Sequence, residues 1–315
     1  MRKALITGSA SGLAVAFARK LASLNFAIAL NYRESKERCE QLAEQLHKQY
    51  GVPVITVRAD ITLQEDIHAM IDTVVRQFGT IDTLIHSAGP YIFERKRLTD
   101  YDDKEWHAMI DGNLSSAFHL FARVIPLMRP HGFGRIITVG FDRVEEAPGW
   151  VYRSAYAAAK VGLASLTRSV ALEEQENGIT ANMICPGDIR GTDKEASLNE
   201  DALVRPMRNA VGADLANAVA FLVSEPSQFV TGNIINVAGE ANNVITRFDH
   251  GKEDIFDPIR LEPGTSVIVV PWQQQGIIQT REDRRNRRAI YHVAVGETIE
   301  RFTIDQLLEV QSHDF

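Results

Sequence analysis

The chain has 315 residues, of which 45% are apolar and 24% charged, and its formal net charge is −7. That length and apolar content can fill a large core, and the acidic balance leaves no overall basic surface for nucleic acid. Cys39 and Cys185, far apart and without metal-ligand spacing, argue against a disulfide framework or a metal site.

The N-terminus enters a strand-like run directly, with no cleavage signal. No stretch reaches the roughly eighteen consecutive apolar residues of a membrane span, so a cytoplasmic protein is expected. Ala4-Leu5-Ile6-Thr7 reads as a buried strand. Gly8-Ser9-Ala10-Ser11-Gly12-Leu13-Ala14 follows, ahead of a helical pattern through Leu24. Glycines between a strand and a helix let the backbone approach a pyrophosphate, whose charge the helix N-terminus favours. By itself such a turn could be a plain tight connection.

The next strand, Phe26 to Tyr32, ends in Arg33, where the adenosine ribose of a dinucleotide would lie. An acid there suits NAD, and an arginine suits the extra phosphate of NADP; with Asn31 and Arg33 in place of an acid, NADP(H) is expected rather than NAD(H). A helix is predicted from Ser35 to Tyr50, a strand over Val54 to Val57 leading to Asp60-Ile61, and an amphipathic helix from Gln64 to Phe78. Thr83 to His86 is a further strand, closed by Ser87-Ala88-Gly89. Strands and helices alternating at these lengths indicate right-handed crossovers and a parallel sheet.

One long helical pattern from Asp103 to Met128 carries Asn113 among apolar neighbours. A buried asparagine there must find partners, in a cap or a polar network. Gly134 to Gly140 is a strand, and a loop leads from it to a helix holding Tyr156 and Lys160. Four residues is close to one helical turn, so phenol and ammonium share a face, and a neighbouring cation lowers the pKa of a phenol. That makes Tyr156 a candidate general acid or base. Thr180 to Cys185 is the next strand, stopped by Pro186-Gly187, and residues 192–208 read as a mobile polar flap. A helix from Ala213 to Val223 and a strand over Asn233 to Val237 complete the domain.

Thr7-Gly8 with Gly12, Asp60-Ile61, Ala88-Gly89, Asn113, Tyr156 with Lys160, Pro186-Gly187 and Thr231-Gly232, in this order and spacing, resemble the short-chain dehydrogenase/reductase family. The resemblance covers residues 1 to about 245. It implies a Rossmann-like, doubly wound parallel α/β sheet and nicotinamide chemistry. Gly8, Ser9, Ser11, Gly12 and Leu13 would lie at the cofactor phosphates, Asp60 and Ile61 by the adenine, and Ser87, Ala88 and Gly89 close to the ribose. Pro186, Gly187 and Ile189 would border the nicotinamide amide. Tyr156 would exchange the proton, Lys160 would hold the nicotinamide ribose and tune the tyrosine, and Asn113 would anchor a water-linked proton path. The family is commonly dimeric or tetrameric through the helices of Asn113 and Tyr156, so a homo-oligomer is expected.

Three departures stand out. Ala14 takes the place of the third glycine. His86 and Ser87 replace the usual paired asparagines. Where the family places a serine that polarises the substrate carbonyl, this chain has Phe141-Asp142, and the loop to Tyr156 is about two residues longer. Either the serine's role is lost or Asp142 has taken it. A carboxylate there is similar to pteridine reductases, in which case Tyr91 would stack on a flat ring beside the nicotinamide and Phe141 would line the same pocket. The strand over Gly134 to Gly140 and the Tyr156 helix also look like those of 3-oxoacyl-carrier-protein reductases.

Residues 246–263 read as a charged, proline-containing linker, and 264–315 as a small β-barrel resembling SH3-like or Tudor-like modules. Its strands are expected at Val267 to Val270, Gly276 to Gln279, Ile290 to Val293 and Arg301 to Ile304, before a turn from Asp305 to Leu308. Trp272 and Tyr291 are expected to pack, and the Arg281 to Arg288 run reads as a charged hairpin tip. The expected activity is NADPH-dependent reduction of a small carbonyl, such as a 3-oxoacyl compound. The alternatives are a pteridine-type reductase using Asp142, and a non-catalytic NADP(H)-responsive scaffold.

Overall fold

Lys3–Thr7 forms β1, and the chain is wound outward from it in both directions. Seven parallel strands lie in the order β3-β2-β1-β4-β5-β6-β7, with β2 Ala27–Tyr32, β3 Val54–Arg58, β4 Thr83–His86, β5 Gly134–Val139, β6 Ile179–Pro186 and β7 Ile234–Val237. The strand order reverses between β1 and β4. In open parallel sheets that reversal opens a crevice at the carboxyl ends of the two strands, where ligands bind.

The computed structural model describes residues 1–91, 96–198, 208, 210–239, 263, 266–269, 274–282, 290–296, 298–302 and 307–309. The chain divides into two compact units, Met1–Ile245 and Thr246–Phe315.

Helices cover the sheet of the first unit: α1 Leu13–Ser23, α2 Lys36–Tyr50, α3 Gln64–Phe78, α4 Asp103–Ile110, α5 Ser116–Met128, α6 Ser154–Glu173 and α7 Gly212–Leu222. Strands covered on both faces read as unbroken apolar runs, and β2 and β5 are buried at every position. Small residues set the spacing of α1 against α7. A Cβ on Gly212 would come within 3.0 Å of the Ala16 Cβ, and Ala16, Leu215, Ala216 and Val219 belong to one buried cluster.

The long helix expected from Asp103 to Met128 is divided. After α4, one π-helical turn spans Asp111–Ser115 before α5 resumes. Such a turn inserts a residue into the helical ladder and is frequent at functional sites. Asp102 caps α4: it accepts from the Glu105 N–H at 2.7 Å, and the Glu105 carboxylate accepts from the Asp102 N–H.

The second unit holds an antiparallel sheet in the order β11-β10-β9-β8-β12, from β8 Ser266–Val269, β9 Gln274–Glu282, β10 Ile290–Val295, β11 Thr298–Phe302 and β12 Leu307–Glu309. Val267, Ile278, Tyr291, Val293, Val295 and Phe302 form its buried cluster, so Tyr291 is core. The turn expected at Asp305 to Leu308 is corrected in part, because Leu307–Glu309 is a strand paired with β8. Trp272 and residues 283–288 of the arginine-rich run lie outside the described residues, as do 199–207 of the expected flap.

Candidate active site

At the carboxyl end of β1 the backbone makes a cradle. Gly8 has φ 69°, and a Cβ there would meet the Ala88 Cα at 2.9 Å, so only glycine lets β1 and the 87–89 turn come this close. Asn31 holds the loop in place: its Oδ1 accepts from the Gly8 N–H at 3.1 Å, and its amide donates to the carbonyls of Tyr32, Val57 and Ala59. Thr7 Oγ1 accepts from the Ser87 and Ala88 N–H groups.

Gly12, at φ 71°, precedes α1, and its N–H donates to Glu195 Oε1 at 2.9 Å. The same oxygen accepts from Arg38 Nη2 at 2.8 Å, and the Glu195 carbonyl from Arg19 Nη1 at 2.9 Å. A carboxylate of the chain therefore occupies the point where a helix N-terminus attracts an anion. The cradle and this stand-in anion together fit the phosphates of a dinucleotide.

Ser9 turns its side chain into the protein. It is fully buried, its hydroxyl donates to the Ile6 carbonyl and its N–H to the Asn31 carbonyl, so it shapes the loop from inside. Ser11 is exposed and Leu13 partly buried at the start of α1. Arg33 is more than half exposed and lies 3.9 Å from Asp60 and 3.2 Å from Glu34. Asp60 receives the N–H and hydroxyl of Thr62, and Ile61 is buried behind it. Gly187 passes so close to β7 that a Cβ would lie 2.8 Å from the Ala238 Cα; Pro186 pairs with Val237, and Ile189 is buried.

Tyr156 and Lys160 lie on the first turns of α6. Lys160 is buried and donates its Nζ to the Val139 carbonyl at the end of β5, at 2.8 Å. Burial pushes its ammonium down to about 8. The Tyr156 ring stands in an aromatic cluster, with centroids 5.1 Å from Tyr91, 5.8 Å from Trp150 and 6.2 Å from Phe141. Burial raises the phenol above its ordinary value, with Tyr91 and Cys185 adding to the rise, and the Arg153 charge opposes it. The lowering expected from Lys160 is thus not found, and desolvation dominates. The cation that acts against the rise is Arg153, one turn before Tyr156, itself buried with its guanidinium 5.1 Å from the centre of the Tyr91 ring.

The loop from β5 to α6 shapes this cluster. Arg143, Ala147 and Tyr152 all take left-handed backbone angles, uncommon for residues other than glycine. Phe141 is buried just past the end of β5, with its ring 5.0 Å from that of Trp150. Asp142 is buried beside it, and its charge helps to raise the Cys185 thiol, after burial and Glu145.

Asn113 sits fully buried in the π-helical turn. Its amide donates to the Pro90 and Met109 carbonyls, each at 3.0 Å, which leaves Oδ1 as its one unbonded group. A Cβ on Gly89 would come within 2.3 Å of that oxygen, so the 89–90 turn and the π-helical turn interlock.

Sequence reasoning missed Arg38, Glu195, Trp150 and Arg153. The spacing of Arg153 to Tyr156, one turn on a helix face, was a readable signal; the aperiodic segment bearing Glu195 offered none. Among the described residues no helix is long and apolar enough to cross a membrane, and no group of side chains could hold a metal ion.

A family profile described as enoyl-(acyl carrier protein) reductase matches residues 8–239. The protein YtkK of Bacillus subtilis (strain 168), which carries an oxidoreductase name, is 48% identical over 249 residues, 77% of this chain and 97% of that protein. The 3-oxoacyl-[acyl-carrier-protein] reductase FabG of Staphylococcus aureus (strain Mu50) is 35% identical over 76% of this chain and 97% of its own length. A solved structure described as a 3-oxoacyl-reductase from Bacillus thuringiensis superposes with a TM-score of 0.72 at 45% identity, covering 77% of this chain and 99% of that one. With a cradle for a dinucleotide at the strand reversal, a tyrosine and lysine beside it, and these relatives, the chain is an oxidoreductase of the short-chain dehydrogenase/reductase family.

Proposed function

We propose that the protein is an NADPH-dependent carbonyl reductase acting on a 3-oxoacyl compound or a related small carbonyl. One observation carries the reading: Lys160, one helical turn from Tyr156, bonds the carboxyl end of β5, at the same end of the sheet as the Gly8 to Gly12 cradle. Relatives named as 3-oxoacyl reductases support the substrate class.

Gly8, Gly12 and the Ser87 to Gly89 turn would hold the dinucleotide phosphates and ribose, with Arg33 and Arg38 as cations for the additional phosphate that distinguishes NADPH. When bound, the nicotinamide supplies the hydride. Tyr156 delivers a proton to the carbonyl oxygen, and the charges of Arg153 and Lys160 stabilise the phenolate left behind. Lys160 is held by Val139 and replenishes the proton, and Asn113 anchors the water-linked path that feeds it. To donate to a substrate oxygen, Asp142 has to carry a proton, since an ionised carboxylate only accepts.

A flat-ring substrate, as in pteridine-type reduction, is the second reading. The rings of Tyr91, Phe141 and Trp150 around Tyr156 favour it. NADPH oxidation with 3-oxoacyl esters and oxidised pterins, measured for wild type, Tyr156→Phe and Asp142→Ala, decides between them. Wild-type turnover on one class, with a loss of at least roughly 100-fold in Tyr156→Phe, is expected. Equal residual rates in all three proteins count against the assignment.

A further inference from the structure

His86 lies at the end of β4 with both ring nitrogens engaged and none of its surface exposed. Its Nδ1 is 3.1 Å from Thr7 Oγ1, and its Nε2 is 3.2 Å from Ser116 Oγ. The neighbouring bonds fix the tautomer. Thr7 Oγ1 already accepts from two backbone N–H groups, so its own hydrogen points to Nδ1. Ser116 Oγ donates to the Gly112 carbonyl at 3.0 Å, so it accepts from the imidazole N–H at Nε2.

The result is a single directed chain: Thr7 hydroxyl to His86 Nδ1, His86 Nε2–H to Ser116, and Ser116 hydroxyl to the carbonyl of Gly112. One end belongs to β1, immediately before the nucleotide cradle. The other is the residue before Asn113. Burial, aided by the Lys160 charge, pushes the imidazole down to about 3, so the ring stays neutral and the chain keeps its direction at any ordinary pH.

A π-helical turn departs from the register of the α-helix around it, and rotating it back would carry Asn113 away from the Gly89-Pro90 turn. Asn113 spends both amide hydrogens on Pro90 and Met109, and the side chain of Ser116 bonds inside the same turn. Among the described residues, it is His86 that joins Ser116, and through its bond to Gly112 that turn, to the central sheet by side-chain bonds. We propose that His86 is a positioning residue: by bridging Thr7 and Ser116 it holds the π-helical turn in the register that presents Asn113 to the proton relay, and couples that register to the nucleotide cradle. The proposal rests on the reductase reading for its effect on turnover, though not for the hold on the turn itself.

The two ring nitrogens can be separated by substitution. Asparagine in His86→Asn reaches Thr7 and falls short of Ser116, whereas glutamine in His86→Gln places an amide near the Nε2 position and keeps the donation to Ser116. The test uses the full chain and compares both variants with Ser116→Ala and with the His86→Asn/Ser116→Ala double variant. It measures amide hydrogen exchange over residues 110–117, NADPH dissociation constants, kcat and the solvent isotope effect on kcat.

Losing one buried hydrogen bond of this kind corresponds to roughly a tenfold change. Exchange at 110–117 is therefore expected to rise about tenfold in His86→Asn and Ser116→Ala, with kcat falling by a similar factor and the solvent isotope effect increasing. NADPH affinity should change by less than about threefold, the double variant should be no worse than either single, and His86→Gln should recover most of both losses. Wild-type exchange and kcat in His86→Asn would overturn the proposal, as would a loss of protection spread equally over β5 and the rest of the sheet, which marks a packing role only. Faster exchange confined to 110–117 in a protein that reduces no carbonyl would instead remove the reductase reading and leave the hold of His86 on the turn standing.

Discussion

Lys160 gives its Nζ to the Val139 carbonyl at 2.8 Å while standing 5.8 Å from the centre of the Tyr156 ring. The ammonium is thus secured by the sheet beneath the tyrosine, in a place where a charge is costly.

That cost predicts a trade between stability and activity. The folded pKa of Lys160, about 8, lies below its ordinary 10.5, so between those values the unfolded chain binds the extra proton. The penalty on the folded state is full below pH 8 and fades as pH rises toward 10.5; it amounts to roughly 3 kcal/mol. Lys160→Met removes it and forfeits the bond to Val139, worth about 1 kcal/mol. The variant should be catalytically dead and yet melt roughly 4–8 °C higher at pH 7. The gap should narrow between pH 8 and 9.5, below the range where the raised Tyr156 pKa works in the opposite direction. A lower melting temperature at pH 7 would show that the ammonium is not strained by burial.

Arg33 is expected to set the cofactor preference. Its contacts with Glu34 and Asp60 are long or solvent-exposed, and pairs of that kind hold a guanidinium weakly. It can therefore turn to a phosphate with little loss. Arg33→Ala should raise the KM for NADPH by roughly tenfold and leave that for NADH within about twofold, since an Arg–phosphate pair is worth on the order of 1–3 kcal/mol. Initial rates with both nucleotides at several concentrations measure this, and a parallel rise for the two would move the preference elsewhere, with Arg38 the next residue to substitute.

Much of the frame was readable because its signals are local. The Gln64–Phe78 helix and the Thr83–His86 strand have the bounds that their periodicity predicts, and Tyr156 to Lys160 is one turn by spacing alone. The π-helical turn at Asp111–Ser115 was not readable, because no residue type in Asp111-Gly112-Asn113-Leu114-Ser115 marks an inserted residue between two helical segments. Nor was the bond between Gly12 and Glu195, which joins residues 183 apart in the chain. The aromatic cluster escaped for a third reason: three non-glycine residues in left-handed conformations set the course of the 141–153 loop, and no residue type there announces them. Burial, finally, reversed the sign expected for the Tyr156 pKa, because spacing reveals a neighbouring charge and says nothing about the solvent removed.

Glu195 should oppose the nucleotide. Its carboxylate takes the Gly12 N–H and an Arg38 nitrogen, both of which a bound pyrophosphate or 2′-phosphate would use. Binding must displace it and then tolerate a like charge nearby. Glu195→Gln keeps the shape and removes the charge, and NADPH should bind roughly three- to tenfold more tightly, a gain of about 1 kcal/mol. Titration of the protein's fluorescence with NADPH reads the change. Weaker binding in the variant would mean that Glu195 orders the Arg19 and Arg38 side chains for the cofactor rather than competing with it.

The helices on either side of the site also carry apolar side chains into solvent. Phe118 on α5 is 58% exposed and Leu172 on α6 is 75% exposed. A lone exposed apolar residue is ordinary, but α5 continues from the turn of Asn113 and α6 carries Tyr156 in its first turn, so a contact between copies through these two helices would brace both halves of the site. The expected state is a dimer or tetramer in which Phe118 and Leu172 are covered. Phe118→Glu with Leu172→Glu places charge in that contact, and the molar mass from light scattering should fall by a factor of two or more, with loss of turnover in proportion. An unchanged mass would place the contact on another face, and a wild-type mass near 35.1 kDa would show that the chain works alone.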